Sequence, residues 1–587
     1  MDLPAPTRSA ALAWCAQDPD PATAAELTAL LAAADGGDAA AIRDLTERFS
    51  GQLQFGTAGL RGVLGAGPQR MNRLLVRKVT AGLAAHLLAA VPDARSRGVV
   101  VGRDARRGSE KFAADTARVL AGAGLRVYLA DREWSTPTTA WAVTRLGAAA
   151  GVMVTASHNP PEYNGYKVYW GNGAQIIPPQ DVDIAAAIDA VHDVAALPLP
   201  TLAEAAASSL LTWIGKPLLT EYLDAVEALR QGLAPSGPRA LTIAYTPLHG
   251  VGAASVEAAL ARAGFTDVHT EPSQRQPDGE FPTVAFPNPE EKGAMDRVLS
   301  LAAQVNAQLV LANDPDADRL CVATPDPAGG YRLLSGDQVG ALLADYLLAT
   351  GAPGPRMVAT TVVSSQLLSY LAKEYGAEYR ETLTGFKWIA NAALDYERAS
   401  AEAGAPGRFV MGYEEALGYS VGPLVRDKDG ISAAVLAAEL TAWNRARGKT
   451  LLDHLDEICA RVGLFSTEQV SLTLPGQEGL ARIRAAMTAF RAAPPSQLAG
   501  HAVTEVVDLQ AGAGGLPKSD VLVFRLDGGR RVIMRPSGTE PKLKSYYEVR
   551  TQLAAGEAMA AARARGLAEL AALRDAHQAE LAARSGA

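Results

Sequence analysis

Short apolar runs and amphipathic segments alternate along most of this 587-residue chain. Amphipathic periodicity predicts helices such as 72–91 and 109–123, and apolar runs bounded by turn residues predict strands. The predicted strands lie at 98–101, 125–130, 148–154, 240–245, 308–312, 357–363 and 408–411. This alternation is typical of α/β domains with a largely parallel sheet.

The last part of the chain has a different pattern, because strand-like segments follow one another there with few helices between them. Strands are predicted at 465–473, 503–507, 520–525, 531–534 and 543–550. A helix is predicted at 477–492, and a long Ala-, Glu- and Arg-rich helix ends the chain. We therefore expect three α/β domains, followed by a C-terminal α+β domain. The predicted domain ranges are 1–205, 206–332, 333–460 and 461–587.

Composition and charge mainly exclude classes of function. The chain is 48% hydrophobic and 20% charged, as is ordinary for globular proteins, and its net charge of −8 argues against a nucleic-acid or anionic-membrane partner. Cys15, Cys321 and Cys459 lie far apart, so neither a zinc site nor a disulfide framework is indicated. No signal peptide or membrane span is predicted, and we expect a cytoplasmic protein.

A polar sequence, TASHNPP, directly follows the apolar run 148–154. Because Pro160 and Pro161 prevent a helix there, the hydroxyl of Ser157 is predicted on a non-helical loop just past a core strand. Open α/β sheets place their chemistry at such strand ends. An isolated Ser157-His158 pair is more often an ordinary surface turn, so this motif needs support from the rest of the chain.

Asp314, Asp316 and Asp318 alternate after the strand predicted at 308–312. Carboxylates this close repel one another, so a structure that gathers them usually binds a hard cation, and oxygen ligands indicate Mg²⁺. An EF-hand is excluded, because its sixth position should be Gly and is Arg319. A solvated acidic turn is one alternative, and a phosphatase with Asp314 as nucleophile and Asp316 as general acid is another.

Three further motifs could contact an anion or a sugar. RPSGTEPK, at 535–542, combines an arginine, two hydroxyls and a lysine on one loop, which matches the acceptor oxygens of a phosphate, although a hairpin turn with a basic rim is the alternative. FGTAGLRG carries three glycines that allow close approach of the backbone to a ligand, with Arg61 extending from it. Glu414 and Glu415, in GYEEALGY, could accept hydrogen bonds from sugar hydroxyls.

In this order, FGTAGLRG, TASHNP, DPDADR, GYEEALGY and RPSGTEPKLKSYYE resemble the α-D-phosphohexomutase family, and within it the branch of larger phosphoglucomutases that includes phosphopentomutases. The resemblance extends from about residue 50 to 550. It implies a heart-shaped, four-domain architecture around a central cleft, with three α/β domains of mixed sheets and a C-terminal α+β domain. One departure is Ala416, where better-known members have a serine in the sugar loop.

The resemblance also implies a role for each motif. Ser157 matches the serine that is phosphorylated in the resting enzyme, and one of its phosphate oxygens would complete an Mg²⁺ site with Asp314, Asp316 and Asp318. The other matches are Arg61 in the active site; His158 and Lys167 for proton transfer; Lys387 at the substrate; Arg319 against the phosphoserine; Glu414 and Glu415 at the sugar; and Arg535, Ser537, Gly538, Thr539 and Lys542 at the phosphate that is not transferred.

The implied function is a Mg²⁺-dependent phosphosugar mutase that interconverts α-D-glucose 1-phosphate and D-glucose 6-phosphate. The reaction would proceed through a phosphoserine enzyme and a bisphosphorylated sugar, with glucose 1,6-bisphosphate as activator and with hinge motion of the last domain while that intermediate turns. Phosphomannomutase or phosphopentomutase activity is the close alternative, and a non-catalytic sugar-phosphate-binding protein is the alternative from another class. We expect small-molecule sugar phosphates as partners, no nucleic acid or membrane, and a monomer or homodimer.

Overall fold

The alternation of strands and helices predicted from the sequence is present in the structure, which is a computed structural model. It describes residues 2–56, 59–231, 233, 237–474, 476–537 and 542–585. The chain forms two compact units. The first comprises Met1–Gly336 and Ala416–Ala446, and the second comprises Asp337–Glu415 and Arg447–Ala587.

The elements up to residue 333 all belong to the first unit. They are α1 (Ala5–Gln17), α2 (Pro21–Asp35), α3 (Ala39–Arg48), β1 (Leu60–Val63), α4 (Arg73–Ala90), α5 (Ala94–Arg97), β2 (Val99–Arg103), α6 (Ser109–Gly122), β3 (Val127–Ala130), α7 (Thr136–Arg145), β4 (Ala150–Val154), β5 (Tyr163–Trp170), α8 (Gln180–Asp189), α9 (Leu202–Ala207), β6 (Leu211–Ile214), α10 (Lys216–Gln231), β7 (Ile243–Thr246), α11 (Ala253–Arg262), β8 (Val268–Thr270), α12 (Asp296–Val305), β9 (Leu309–Ala312), β10 (Cys321–Pro325) and β11 (Tyr331–Leu333).

The remaining helices and strands belong to the second unit, except that β15 and α16 return to the first. They are α13 (Gly336–Thr350), β12 (Arg356–Thr361), α14 (Leu367–Glu374), β13 (Glu378–Thr382), α15 (Phe386–Glu402), β14 (Arg408–Glu414), β15 (Gly418–Val421), α16 (Gly430–Ala446), α17 (Leu451–Val462), β16 (Leu464–Thr473), α18 (Gly476–Ala492), β17 (Gln497–Leu498), β18 (His501–Asp508), β19 (Leu522–Leu526), β20 (Arg530–Pro536), β21 (Lys542–Thr551) and α19 (Met559–Ser585).

The first sheet of the first unit is mixed, in the order β1-β5-β4-β2-β3-β6. β2 runs parallel to β3 and β4, whereas β5 is antiparallel to both β4 and β1. β4 is buried along its whole length, as expected of a central strand covered on both faces. The carboxyl ends of β2 and β4 meet at the same edge, where segments 104–108 and 155–162 continue the chain.

The second sheet of this unit has the order β11-β10-β9-β7-β8, with β7 parallel to β8 and β9. The segment that follows β14 also belongs here. Leu417 joins the buried cluster that contains Ala244 and Ala312, and Gly418 forms a β-bridge with Arg319. Residues distant in the sequence therefore surround the end of β9.

In the second unit, β12 lies between the parallel strands β13 and β14, and a separate antiparallel sheet has the order β16-β21-β20-β19-β18-β17. Arg531 joins these two parts from a buried position on β20. Its guanidinium donates to Glu548 Oε1 (2.8 Å), to the carbonyl of Val362 (3.0 Å) and to the carbonyl of Ser364. The predicted α+β character of the C-terminal part is confirmed.

None of the helices in the part of the chain that the structure describes has the length and apolar character needed to cross a membrane.

Candidate active site

Ser157 lies on the loop that follows β4, as predicted. The residue is only 3% exposed and adopts the left-handed backbone conformation, with φ of 54°. Its backbone N–H donates to Thr155 Oγ1 (2.8 Å), and its own hydroxyl donates to Asp314 Oδ2 (2.8 Å). His158 Nδ1 lies 3.1 Å from the same hydroxyl. The turn therefore directs the Ser157 Oγ between an imidazole and the first of the three aspartates.

The three aspartates follow β9 and are completely buried. One carboxylate oxygen of each lies within 4.8 Å of the others. Backbone hydrogen bonds fix the loop from neighbouring segments, because Val251 N–H donates to the Pro315 carbonyl and Thr136 N–H donates to the Asp316 carbonyl, both at 2.9 Å. The sequence thus gathers the carboxylates by folding a short loop against two other segments of the unit.

Lys167, on β5, neutralises part of this charge. Its Nζ lies 2.7 Å from Asp316 Oδ2 and 2.9 Å from Asp318 Oδ2. Burial acts to lower the pKa of Lys167, but the charges of Asp316 and Asp318 outweigh burial and raise it. Thr136, in the first turn of α7, also donates to Asp316 Oδ2 (2.6 Å). The Lys167 ammonium is therefore held charged, which suits it to position the carboxylates of Asp316 and Asp318.

The arrangement fits a bound divalent cation. Oδ1 of Asp316 and Oδ1 of Asp318 are both buried without a hydrogen-bond partner. Burial, followed by the charges of Asp316 and Asp318, raises the pKa of Asp314 well above its usual value. A cation among these oxygens would supply the missing partners and relieve the repulsion, and carboxylate oxygens are the ligands that Mg²⁺ prefers.

Two arginines, Arg319 and Arg61, act electrostatically on His158, the residue beside Ser157. The Arg319 backbone N–H donates to Asp314 Oδ1 (3.0 Å), and its guanidinium lies 3.5 Å from Glu290. Arg61, on β1, donates to Asn159 Oδ1 (3.0 Å). Burial, followed by the charges of Arg319 and Arg61, lowers the pKa of His158 well below its usual value. His158 is therefore neutral near pH 7 and can accept a proton.

The sequence analysis missed Lys428, which lies between β15 and α16. Its Nζ is 3.2 Å from Asp318 Oδ2 and 3.2 Å from Asp427 Oδ1. Asp427 in turn accepts a hydrogen bond from the Tyr169 hydroxyl (2.8 Å). The available signal was the sequence RDKDG at 426–430, where four successive charges precede a helix and a glycine.

The remaining predicted residues lie in the second unit. Glu414 Oε1 accepts a hydrogen bond from Gly385 N–H (2.8 Å), and Glu415 Oε2 accepts one from the Ser364 hydroxyl (3.0 Å). Lys387 lies in the first turn of α15 and is 9% exposed. The two glutamates are thus anchored at the ends of strands in the α/β part of this unit.

Arg535 lies on β20 opposite Lys544 on β21, and it hydrogen-bonds the buried Tyr546. Burial, followed by the negative charge of Glu415, raises the pKa of the Tyr546 hydroxyl, and the charge of Arg535 opposes this shift. Arg535 and Glu415 therefore both act on one tyrosine, which the sequence analysis did not single out although it lies within the motif RPSGTEPKLKSYYE.

The hairpin between β20 and β21 carries the other predicted phosphate ligands. The backbone N–H of Ser537 donates to the carbonyl of Lys542 (2.8 Å), which closes the hairpin. Gly538 and Thr539 lie outside the described residues. Ser537 and Lys542 are both half-buried at the base of this turn.

Asp337, at the start of α13, is a buried carboxyl in the second unit that the sequence did not single out. It accepts a hydrogen bond from Ser365 N–H (2.7 Å). Burial raises the pKa of Asp337 to about 7, and the charges of Glu548 and Glu415 act in the same direction. Because this pKa lies above the value of about 3.9 in an unfolded chain, the stabilisation from the protonated group is complete below pH ~4 and is lost as pH rises through ~7.

We expect Asp337→Asn to remove this pH dependence, because the amide keeps an acceptor for Ser365 N–H and cannot ionise. The wild-type free energy of unfolding should fall by about 3 kcal/mol between pH 5 and 8 through this group. Urea midpoints at pH 5 and pH 8 measure the difference. Asp395→Asn, at an exposed position on α15, is the control and should keep the wild-type difference. An equally large difference in Asp337→Asn would contradict the expectation.

Family models match the chain in four consecutive parts. Residues 52–194, 220–329 and 335–462 match domains I, II and III described as "Phosphoglucomutase/phosphomannomutase, alpha/beta/alpha domain". Residues 480–565 match the "Phosphoglucomutase/phosphomannomutase, C-terminal domain". The fold class predicted from the sequence, with three α/β domains and a C-terminal domain, is confirmed.

Curated relatives carry the names of different sugars. A "Probable phosphomannomutase" of Haemophilus influenzae is 42% identical over 485 residues, covering 82% of this chain and 93% of the relative. A "Probable phosphoribomutase" of Schizosaccharomyces pombe is 37% identical, covering 91% of this chain and 92% of the relative. A "Phosphoglucomutase" of Staphylococcus epidermidis is 36% identical, covering 86% and 92%.

Proposed function

Because the chain belongs to the α-D-phosphohexomutase family of intramolecular phosphotransferases, we propose that it interconverts α-D-glucose 1-phosphate and D-glucose 6-phosphate through a phosphorylated Ser157. The observation that carries the proposal is the position of the Ser157 hydroxyl. It donates to Asp314 Oδ2 at 2.8 Å, lies 3.1 Å from a neutral imidazole, and adjoins a buried carboxylate cluster with unpartnered oxygens.

Each side chain near Ser157 has a function in this proposal. Asp314, Asp316 and Asp318 would hold Mg²⁺, which when bound draws charge from the transferring phosphoryl group. The guanidinium of Arg319 would offset the charge of the phosphate on Ser157. His158 would take the proton from the attacking sugar hydroxyl, since it is neutral and beside the serine. The phosphoryl group passes from Ser157 to that hydroxyl, and the Ser157 oxygen is left to accept the other phosphate.

The residues of the second unit would select and hold the sugar. Glu414 and Glu415 would accept hydrogen bonds from its hydroxyls, and Arg535 with Ser537 and Lys542 would bind the phosphate that is not being transferred. Donation yields a bisphosphorylated sugar. If this intermediate turns before the second transfer, the product is the isomer and Ser157 is phosphorylated again, so glucose 1,6-bisphosphate would serve as activator.

Glucose phosphates stand first in the proposal because one relative is named phosphoglucomutase and the family description names that sugar together with mannose. Mannose and ribose phosphates are the alternatives, because other relatives carry those names. Ala416 also leaves the sugar loop without the serine hydroxyl expected there, so a different set of hydroxyl contacts is compatible with this chain.

We expect Arg535→Ala to lower kcat/KM by about 10- to 100-fold for each charge-assisted bond lost, since each such bond contributes roughly 1.5–3 kcal/mol. Steady-state kinetics with the preferred sugar phosphate measure the effect. Arg525→Ala is a matched control on the neighbouring strand β19, where the arginine pairs with Glu505. An unchanged kcat/KM in Arg535→Ala would remove this residue from phosphate binding.

A substrate panel tests the proposed function. The 1-phosphates of glucose, mannose, ribose and deoxyribose are compared by kcat/KM with Mg²⁺ and a trace of glucose 1,6-bisphosphate. A preference for glucose 1-phosphate supports the proposal, and a preference for another sugar reassigns the substrate. Release of free phosphate, lost in Asp314→Asn, would indicate a phosphatase instead. Binding of sugar phosphates without turnover would indicate a binding protein.

A further inference from the structure

A buried arginine contacts several backbone carbonyls of the loop that carries Ser157. Arg106 lies between β2 and α6 and is 3% exposed. Its Nη2 donates to the carbonyl of Ser157 (2.6 Å) and to the carbonyl of Asn159. Its Nη1 donates to the carbonyls of Pro160 (2.8 Å) and Tyr163 (3.3 Å). One guanidinium therefore contacts four of the seven carbonyls between residues 157 and 163.

The guanidinium is itself fixed in place. Its Nε lies 3.4 Å from Asp104 Oδ2, and Asp104 Oδ1 accepts hydrogen bonds from the Arg106 N–H (3.0 Å) and from the Ser109 hydroxyl (2.6 Å). The ring of Phe281 lies 4.9 Å from the Arg106 Cζ, in the geometry of a cation–π contact. Asp104 and Phe281 thus orient the arginine, and the arginine orients the loop.

The loop needs such a partner for two reasons. Ser157 adopts a left-handed conformation, with φ of 54°, which is unfavourable for a residue other than glycine. Pro160 and Pro161 also carry no N–H, which leaves the segment with few backbone donors, although Tyr163 N–H does donate to the Pro160 carbonyl (3.1 Å). Arginine offers five donors in a rigid planar fork, whereas lysine offers three on one atom.

We propose that Arg106 is the positioning residue of the serine loop. By gathering these carbonyls, it keeps Ser157 in the strained turn that directs its Oγ toward Asp314. The inference rests on the proposed function only in that Ser157 is taken as the residue that is phosphorylated. Arg106 does not touch the reacting atoms, and its loss should act on the rate of transfer rather than on substrate binding.

The arginine also borders a partly open cavity of about 370 Å³, whose wall includes Met71, Gly108 and Phe112. Truncation of Arg106 would extend this cavity toward the loop carbonyls. A small guanidinium compound from solution could then occupy the place of the missing side chain. Propylguanidinium carries the same fork, and propylammonium carries the same charge without it.

The experiment compares Arg106→Ala, Arg106→Lys and the control Arg107→Ala, whose side chain is 48% exposed and pairs with Glu280. We expect kcat to fall about 100-fold in Arg106→Ala and at least about 30-fold in Arg106→Lys, with KM within threefold of wild type. Propylguanidinium should restore kcat of Arg106→Ala at least tenfold, and propylammonium should not. The control should match the wild type.

Hydrogen exchange of the peptide spanning 155–166 gives a readout that does not depend on turnover. We expect faster exchange there in both Arg106 variants and unchanged exchange in β2 and β3. Values of kcat within threefold of wild type in Arg106→Lys, or equal rescue by propylammonium, would overturn the proposal. If Arg106→Ala does not fold, Arg106→Lys decides by the same criteria. Absence of mutase activity in the wild type would contradict the proposed function. Hydrogen exchange of peptide 155–166 that is unaltered in the Arg106 variants would separately overturn the proposed role of Arg106.

Discussion

Replacing Ser157 by alanine is expected to lower kcat of the mutase reaction by at least about 10⁴-fold, because loss of a nucleophile removes the covalent route altogether. The substitution deletes one buried hydroxyl that donates to Asp314 and leaves the backbone of the turn unchanged. Two measurements check it: the steady-state rate with the preferred sugar 1-phosphate, and transfer of labelled phosphate from glucose 1,6-bisphosphate to the protein. Both should be lost together.

Ser96→Ala is the matched control, since Ser96 is an exposed serine of the same unit whose hydroxyl, among the contacts described, donates only to the Asp93 carbonyl of its own turn. It should keep the wild-type rate and labelling. Isomerisation that persists in Ser157→Ala would overturn the mechanism. Labelling that persists in Ser157→Ala but disappears in Asp314→Asn would identify an aspartyl nucleophile instead.

Asp318→Asn is expected to weaken Mg²⁺ binding by at least about 100-fold. Two unit charges about 4 Å apart interact by roughly 4 kcal/mol at an effective dielectric constant of 20. Loss of one carboxylate charge therefore weakens the binding of a divalent cation, even though it also reduces the repulsion among the aspartates. Asparagine preserves the shape and one oxygen. Calorimetric titration with Mg²⁺ measures the affinity, and kcat/KM should fall in parallel at fixed, subsaturating Mg²⁺.

Thermal unfolding supplies a second measurement, because an ion that binds the folded state raises Tm. The wild type should show a rise in Tm with Mg²⁺ that Asp318→Asn lacks. Asp326→Asn lies in the turn after β10, where the carboxylate accepts only from the Ala328 N–H among the contacts described, and should respond like the wild type. Equal Mg²⁺ affinity in Asp318→Asn and wild type would exclude the aspartate cluster as the cation site.

Most helices and strands could be predicted because their apolar periodicity is local. The helix predicted at 109–123 is found at Ser109–Gly122, and the strand predicted at 308–312 is found at Leu309–Ala312. The strand β5 was not predicted. Its sequence YNGYKVYW interrupts the expected apolar run with Asn164, Gly165 and Lys167, all of which are buried in the structure. Lys167 is tolerated there only because two aspartates neutralise it, which depends on a loop about 150 residues away.

The candidate site could be predicted as far as its residues lie in compact motifs. The Ser157 loop and the three aspartates each stand out within six residues of sequence, and the structure brings these two motifs into hydrogen-bonding contact. Lys428 and Arg106 could not be found in this way, because each lies in a segment that is ordinary by itself and acts through a neighbour that only folding brings close. Tyr546 lies within a quoted motif, but its partner Glu415 is distant in the sequence.

The second unit contains both Glu415 and Arg535, which both act on Tyr546, and the buried Arg531 joins β20, which carries Arg535, to the segment that follows β12. On the proposed function, the residues that bind the sugar hydroxyls and those that bind the phosphate that is not transferred belong to the same compact unit. The distance between these two sets of residues would then select the length of the sugar phosphate. Pentose and hexose phosphates differ in that length by one carbon. The preference for a pentose or a hexose phosphate would then depend on the second unit. Exchange of this unit between relatives should transfer the substrate preference, whereas the reaction at Ser157 should stay the same.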